Sequence, residues 1–297
     1  MPNTTHTIAV TGVTGNLGAL AVEKLLARGQ PASQIVGLAR TPSKAAALQA
    51  KGVTIRTFDF EQPATTLASA LAGVDFLLLV SSSEVGKRAA QHQHVIDAAK
   101  SAGVKLIAYT SLLHTDTSAL TVLPAEHNAT EAALKASGVP HVLLRNGWYN
   151  ENYESSIGGA VAQGKLMGAS AEGKIASASR ADYADAAAAV LLADDAVAQH
   201  AGKTYELAGD EAYTLAELAG EVQKQSGKTV EYVPLDRDAY KAALESIGLP
   251  EPIAEMLADS DNGAAQGGLF DNSKTLSALT GKPTTPIAET VAATLKQ

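Results

Sequence analysis

The segment from residue 7 to residue 26 constrains this chain more than any other. Thr7-Ile8-Ala9-Val10-Thr11 is a short apolar strand, and Gly12-Val13-Thr14-Gly15-Asn16-Leu17-Gly18 follows at once. Leu17, Leu20, Val22, Leu25 and Leu26 then recur with helical spacing. Strand, glycine turn and helix in this order form the corner of a dinucleotide fold where a pyrophosphate rests. Gly12 lets the chain leave the strand in a tight turn, Gly15 lets the backbone come close to the anion, and Gly18 lets the helix lie near the sheet. The helix N-terminus adds free N–H groups and a positive dipole end. The spacing is G-x-x-G-x-x-G, which an ordinary strand–helix turn also allows. Its place between an N-terminal strand and an amphipathic helix favours nucleotide binding.

The same alternation continues. A second strand over residues 34–39 ends at Arg40, with Lys44 in the next helix. A NAD-preferring fold would place an acid there for the ribose 2′-hydroxyl. A guanidinium instead grips a 2′-phosphate bidentately, so Arg40 and Lys44 point to NADP(H), unless they are only solvated surface cations. Residues 53–58 form a third strand closed by Asp59-Phe60, a carboxylate and a ring suited to adenine. Residues 63–71 make a helix, and the near-continuous apolar run at 75–80 suits a parallel strand buried on both faces. Ser81-Ser82-Ser83-Glu84 falls at its C-terminal end, where open α/β sheets bind ligands. A helix over 88–102, a strand over 105–109, a helix over 125–137 and a strand over 141–144 complete a Rossmann-type doubly wound α/β parallel sheet.

Beyond Arg145-Asn146 the rhythm breaks, and residues 147–173 are rich in glycine, aromatic and amide side chains. A helix around 181–192 and a strand at 204–207 read as a return to the sheet, and Thr214-x-x-Glu217 is a capping box. The expected organisation is a dinucleotide-binding domain of residues 1–150 and 176–210. A smaller α/β domain of 151–175 and 211–297 would complete a substrate cleft.

Composition narrows the partners. A net charge of −8 argues against nucleic acid or an anionic membrane, and the absence of cysteine removes thiolate chemistry, disulfides and iron–sulfur clusters. The apolar run at 74–80 is too short to span a bilayer, and the N-terminal residues lack a signal-peptide pattern. A cytoplasmic location is therefore expected, and the sequons at Asn3 and Asn128 carry no meaning for glycosylation. A homodimer stays open.

With these units in hand, the chain resembles an atypical short-chain dehydrogenase/reductase of the NmrA-like group, and within it the bacterial NAD(P)H:quinone oxidoreductases. The marks are the glycine turn, Pro31 to Val36, Ser81 to Gly86, Tyr109-Thr-Ser-Leu-Leu-His114, Leu144-Arg-Asn-Gly-Trp-Tyr149, Gly173 to Ser177 and Gly267 to Asp271. The resemblance implies NADPH-dependent reduction of quinones; direct hydride transfer is the expected step, since the sequence shows no flavin motif. It carries Gly12 to Leu17, Arg40, Ser82, Ser83, Glu84 and Asn146-Gly147-Trp148-Tyr149-Asn150 over as cofactor or substrate contacts, with Asn146, Trp148 and Tyr149 nearest the reacting groups. Triphenylmethane-dye reductases share much of the pattern. A non-catalytic NADP(H)-binding redox sensor is the reading from another class.

Many members of the wider superfamily pair a tyrosine with a lysine four residues on, and none of the eight tyrosines here has one. His127-x-x-x-Glu131 stands where the pair should fall, so alcohol dehydrogenation lacks its base. His127 with Glu131 could orient a proton or be a surface contact. A quinone asks for less, because the charge left by hydride addition is delocalised; an amide donor such as Asn146 and stacking rings at Trp148 and Tyr149 suffice. Those rings could equally only pack between the domains. His92 and His94 point to different helix faces and share no metal, and Gly159 to Lys165 mimics a P-loop without its hydroxyl residue.

Overall fold

A computed structural model describes residues 6–296, so the Asn3 sequon lies outside the described residues. Nine strands form among them: β1 (Ile8–Thr11), β2 (Ile35–Ala39), β3 (Thr54–Thr57), β4 (Phe76–Leu79), β5 (Leu106–Leu112), β6 (His141–Asn146), β7 (Lys165–Gly168), β8 (Thr204–Leu207) and β9 (Glu231–Pro234). Seven make one sheet in the order β3-β2-β1-β4-β5-β6-β8, and β1 pairs in parallel with β2 and β4, β2 with β3, and β4 with β5. The expected Rossmann-type sheet is therefore present, with β8 returning to it.

Side-chain patterns follow strand position. Phe-Leu-Leu-Leu of β4, in the middle, is buried throughout, whereas β3 at the edge buries none of its four residues fully. One face is covered by the helices Ala64–Ala70 and Arg88–Ala102, whose Leu67, Val95 and Ile96 join Leu77, Leu79 and Ile107 in a single core. Elsewhere the helix Asn16–Ala27 packs on the alanine-rich helix Arg180–Leu191, and Arg28 Nε donates to Asp185 Oδ1 at 2.6 Å.

The chain divides into two compact units, the first made of residues 1–112, 126–145 and 180–205, the second of 113–125, 146–179 and 206–297. The second has its own parallel pair, β7 with β9, and its own core of Trp148, Ile157, Leu166, Leu218, Val222 and neighbours. Its helix Leu215–Ser226 starts on the Thr214/Glu217 capping box expected from the sequence. The segment 113–125 is fastened by Asp259, which accepts from Thr121 N, Val122 N and Thr121 Oγ1 at 2.9, 2.9 and 2.5 Å. Residues 147–173 contain the helix Glu154–Gln163 as well as β7. Gly159 lies inside that helix, Gly164 ends it with φ +72°, and the strand comes after, so the P-loop look-alike is a helix end.

Candidate cofactor and substrate site

The glycine turn is built as its residues dictate. Gly12 has φ +63°, and its carbonyl accepts from Gly15 N at 2.9 Å, which closes the turn. A Cβ on Gly18 would lie 2.4 Å from Gly12 O and 2.8 Å from Thr11 O, so only glycine lets the helix start this close to β1. Val13 is buried, while Gly12, Thr14, Gly15 and Asn16 are exposed and Leu17 is half-buried. No side chain caps the helix at Gly15. The first-turn N–H groups, which have no intrahelical acceptor, are thus presented on an exposed turn.

Arg40 follows β2 and is exposed, with Nη1 at 3.4 Å from Glu84 Oε1; Lys87 Nζ lies 3.6 Å from the same carboxylate. Two residues singled out from the sequence are thus brought together, and an anion at Arg40 would compete with Glu84. Lys44 is exposed on the short helix Pro42–Ala45. Asp59 is half-buried, and its Oδ1 accepts from Glu61 N. Phe60 is half-buried, edge-on to Phe58 and to His92.

The loop after β4 is anchored by side chains that the sequence reading passed over. Ser82 O accepts from Arg88 Nε at 2.7 Å, Ser82 Oγ donates to Gln91 Oε1 at 2.6 Å, and Ser82 N donates to His92 Nε2 at 3.0 Å. Arg88, Gln91 and His92 fall on one helix face and are buried, although such a polar stripe reads as a solvent face. Glu126 accepts from Gly86 N and Arg88 N, and its other oxygen is 3.3 Å from Arg88 Nη1. Ser83 is exposed in this loop. Because His92 Nε2 accepts, the neutral ring carries its proton on Nδ1 and donates to Thr130 Oγ1 at 3.0 Å. Burial holds the His92 pKa down at about 3, with Arg88 adding to the shift.

His127 and Glu131 do not form the surface contact the sequence allowed. Burial drives the His127 pKa well below its ordinary value and the Tyr109 phenol above its own, and Tyr109 Oη lies 2.8 Å from His127 Nδ1 as a neutral pair. Glu131 accepts from Ser111 Oγ at 2.5 Å and from Arg145 Nε and Nη2 at 3.0 and 2.7 Å. This bidentate, buried pair joins the ends of β5 and β6 to the helix Pro124–Ser137. His92 and His94 diverge as expected, His94 Nδ1 lying 3.1 Å from Phe60 O. Among the described residues no group of acidic residues, histidines and cysteines could hold a metal.

The five residues from Asn146 differ in what they leave free. Gly147 N donates to Leu207 O, and Asn150 is fully buried with Nδ2 on Thr285 O and Oδ1 accepting from Ser177 Oγ at 2.6 Å. Trp148 is buried in the second unit's core, and Tyr149 is half-buried. Asn146 is buried with both amide atoms, Nδ2 and Oδ1, lacking a hydrogen-bond partner. A buried amide in that condition costs free energy, about 1–3 kcal/mol per group.

The sheet order, the glycine turn and the uncapped helix define a Rossmann-type dinucleotide fold. Residues 4–287 match the NmrA-like family, and the chain belongs to it. It is 58% identical over 284 residues to quinone oxidoreductase 2 of Escherichia coli (strain K12), covering 96% of this chain and 97% of that protein. The crystal structure of the NADPH-dependent quinone oxidoreductase of Escherichia coli complexed with NADPH superimposes with a TM-score of 0.92 at 57% identity, over 96% of this chain and 99% of that one. The triphenylmethane reductase of Citrobacter sp. complexed with NADP(H) follows the same fold with a TM-score of 0.90 at 35% identity, over 97% and 99%.

Proposed function

We propose that this chain is an NADPH-dependent oxidoreductase that reduces quinones by direct hydride transfer, without a flavin. The observation that carries the reading is the exposed, uncapped turn at Gly12 to Asn16, in a chain 57% identical to a quinone oxidoreductase complexed with NADPH. The residues fit a dinucleotide: Gly18 leaves no room for a side chain where the helix meets the turn, and the first-turn N–H groups are available to a pyrophosphate. Gly12, Val13, Thr14, Gly15, Asn16, Leu17 and Gly18 hold the pyrophosphate in this reading, and Arg40 and Lys44 take the 2′-phosphate. Asp59 and Phe60 border the adenine, and Ser82, Ser83 and Glu84 complete the binding loop. When bound, NADPH supplies the hydride.

The remaining work falls to residues 146–150. Asn146 has no protein partner to give up when its amide turns to a quinone oxygen, and a donor aimed at developing charge is an effective stabiliser. Tyr149, half-buried, offers a ring to stack on the acceptor, and Gly147, Trp148 and Asn150 position it. The partner is a small molecule, the location cytoplasmic, and sedimentation would show whether two copies pair.

The test follows the loss of NADPH absorbance with benzoquinones, naphthoquinones and a triphenylmethane dye, with NADH in parallel. Quinone-dependent oxidation, faster with NADPH, is the expected result. Tight NADPH binding without turnover on any acceptor would leave a sensor, and turnover confined to the dye would move the acceptor class. Asn146→Ala should lower kcat roughly 10- to 100-fold with NADPH affinity nearly unchanged. Unaltered turnover removes that residue from the mechanism.

A further inference from the structure

The second unit contains a pocket of about 150 Å³, open to solvent on one side, whose apolar wall includes Trp148, Tyr153, Leu166, Tyr240, Leu244 and Leu257. That volume has room for one benzene-sized ring. Asn152, Ser155, Ser156, Gln163 and Lys165 also line it without being buried, whereas Asp261 is a buried acid. Asp261 faces the cavity, is only 5% exposed, and receives a single hydrogen bond, from Ala169 N to Oδ2 at 2.9 Å. Among the described residues Oδ1 has no partner. Burial raises the Asp261 pKa to about 6, so the carboxylate is charged at neutral pH with one of its two oxygens unused.

We propose that this cavity is a binding site for a small aromatic molecule bearing a hydroxyl, a phenol, whose O–H donates to Asp261 Oδ1 while its ring lies among the aromatic and leucine side chains. The hydroxyl supplies the donor the buried carboxylate lacks, and the ring matches the wall. An ammonium ligand is disfavoured because Lys165 lines the same cavity and would face it with like charge. The other titratable groups here are Tyr153 and Tyr240, together with Tyr232 approaching Asp261 from β9. Burial raises all three phenol pKa values, so they stay neutral as Asp261 titrates. The site requires no NADPH.

Trp148 is the only tryptophan in the chain and sits in the cavity wall, so its emission reports on occupancy. The experiment is a calorimetric titration of the full chain with phenol and with near-isosteric toluene, at about pH 8 and about pH 5, with Trp148 emission followed alongside. At the higher pH phenol should bind roughly tenfold more tightly than toluene, and at the lower pH, with Asp261 protonated, that preference should shrink by at least about threefold. Asp261→Asn should abolish the pH dependence of the preference, and Leu244→Phe should fill the cavity and weaken both ligands. Toluene binding as tightly as phenol at the higher pH, or a wild-type preference unchanged between the two, overturns the proposal. So does binding that Leu244→Phe leaves intact, or no binding at all. The wild-type pH comparison stands even if a variant does not fold.

Discussion

In the first unit, Tyr109 and His92 are fully buried and His127 nearly so, and each hydrogen-bonds a neighbouring group. In the second, Asn146 and Asp261 are buried as deeply yet hold polar atoms that bond to nothing in the protein. Gln34 Oε1 is the exception in the first unit among the described residues. The contrast separates two uses of buried polarity. Where donors and acceptors are matched, the side chains fix the loop after β4 and the end of β5. Where they are unmatched and sealed from solvent, as at Asn146, the protein carries a standing cost of about 1–3 kcal/mol per group, which a ligand can relieve.

The same contrast sets opposite pH responses. His92 is neutral in the fold with its pKa lowered to about 3, so below about 6.5 the unfolded chain binds more protons and stability is lost as pH falls. Asp261 has its pKa raised to about 6, so between about 4 and 6 the folded state binds more protons and stability falls as pH rises.

Arg145→Met would give the first unit an uncompensated charge at Glu131 and should cost about 3–5 kcal/mol in denaturant unfolding. Adding Glu131→Leu should recover part of that loss; no recovery would mean that the pair does not act as a pair. Next in size, acidification to about pH 4 should lower the hydrogen-exchange protection factors, corrected for the intrinsic pH dependence of exchange, in the segment of Arg88–Ala102, with roughly 3 kcal/mol traceable to His92. His92→Gln should remove that share, and equal acid sensitivity in the variant would refute the assignment. The helix Glu251–Ala265 should respond in the other direction, its intrinsic-rate-corrected protection at about pH 4 exceeding that at about pH 7 by up to roughly 2–3 kcal/mol, a gain Asp261→Asn abolishes. The smallest effect concerns the exposed surface. Arg40→Ala should cut the preference for NADPH over NADH about tenfold, or about 1.4 kcal/mol, and leave stability within a few tenths because the Glu84 pair is solvated. An unchanged preference would show that Arg40 does not meet the 2′-phosphate.

Much of the first unit was legible because parallel strands buried on both faces are short apolar runs between helices, and β1, β2 and β4 are that. The misjudged ends have one cause. The strand expected to stop at residue 109 runs to Leu112, and the one expected to stop at 144 runs to Asn146. Thr110, Ser111 and Arg145 are polar, as loop residues are, but they are buried and bonded to Ser81, Glu131 and Glu131 respectively. Tertiary partners override local polarity there. The second unit was opaque for the opposite reason. Its helix Glu154–Gln163 contains Gly158 and Gly159, poor helix formers, and forms because Ile157 and Ala160 are buried. Of the candidate site, the glycine turn was readable because backbone geometry demands particular residues. The Arg40–Glu84 pairing and the pocket around Asp261 were not, since one of four acids along a helix gives no sign of which way it faces.

Asp259 accepts from Thr121 across 138 residues of chain. During synthesis at ~5–20 residues per second, the segment 113–125 leaves the ribosome on the order of ten seconds before the carboxylate that fastens it. The second unit therefore cannot lock its parts in the order they are made. Its earliest strip must wait, unfastened, while the β-α-β register of the first unit is already being laid down, and a nascent chain stalled before Asp259 should offer residues 113–125 to a protease or a chaperone that the finished protein denies.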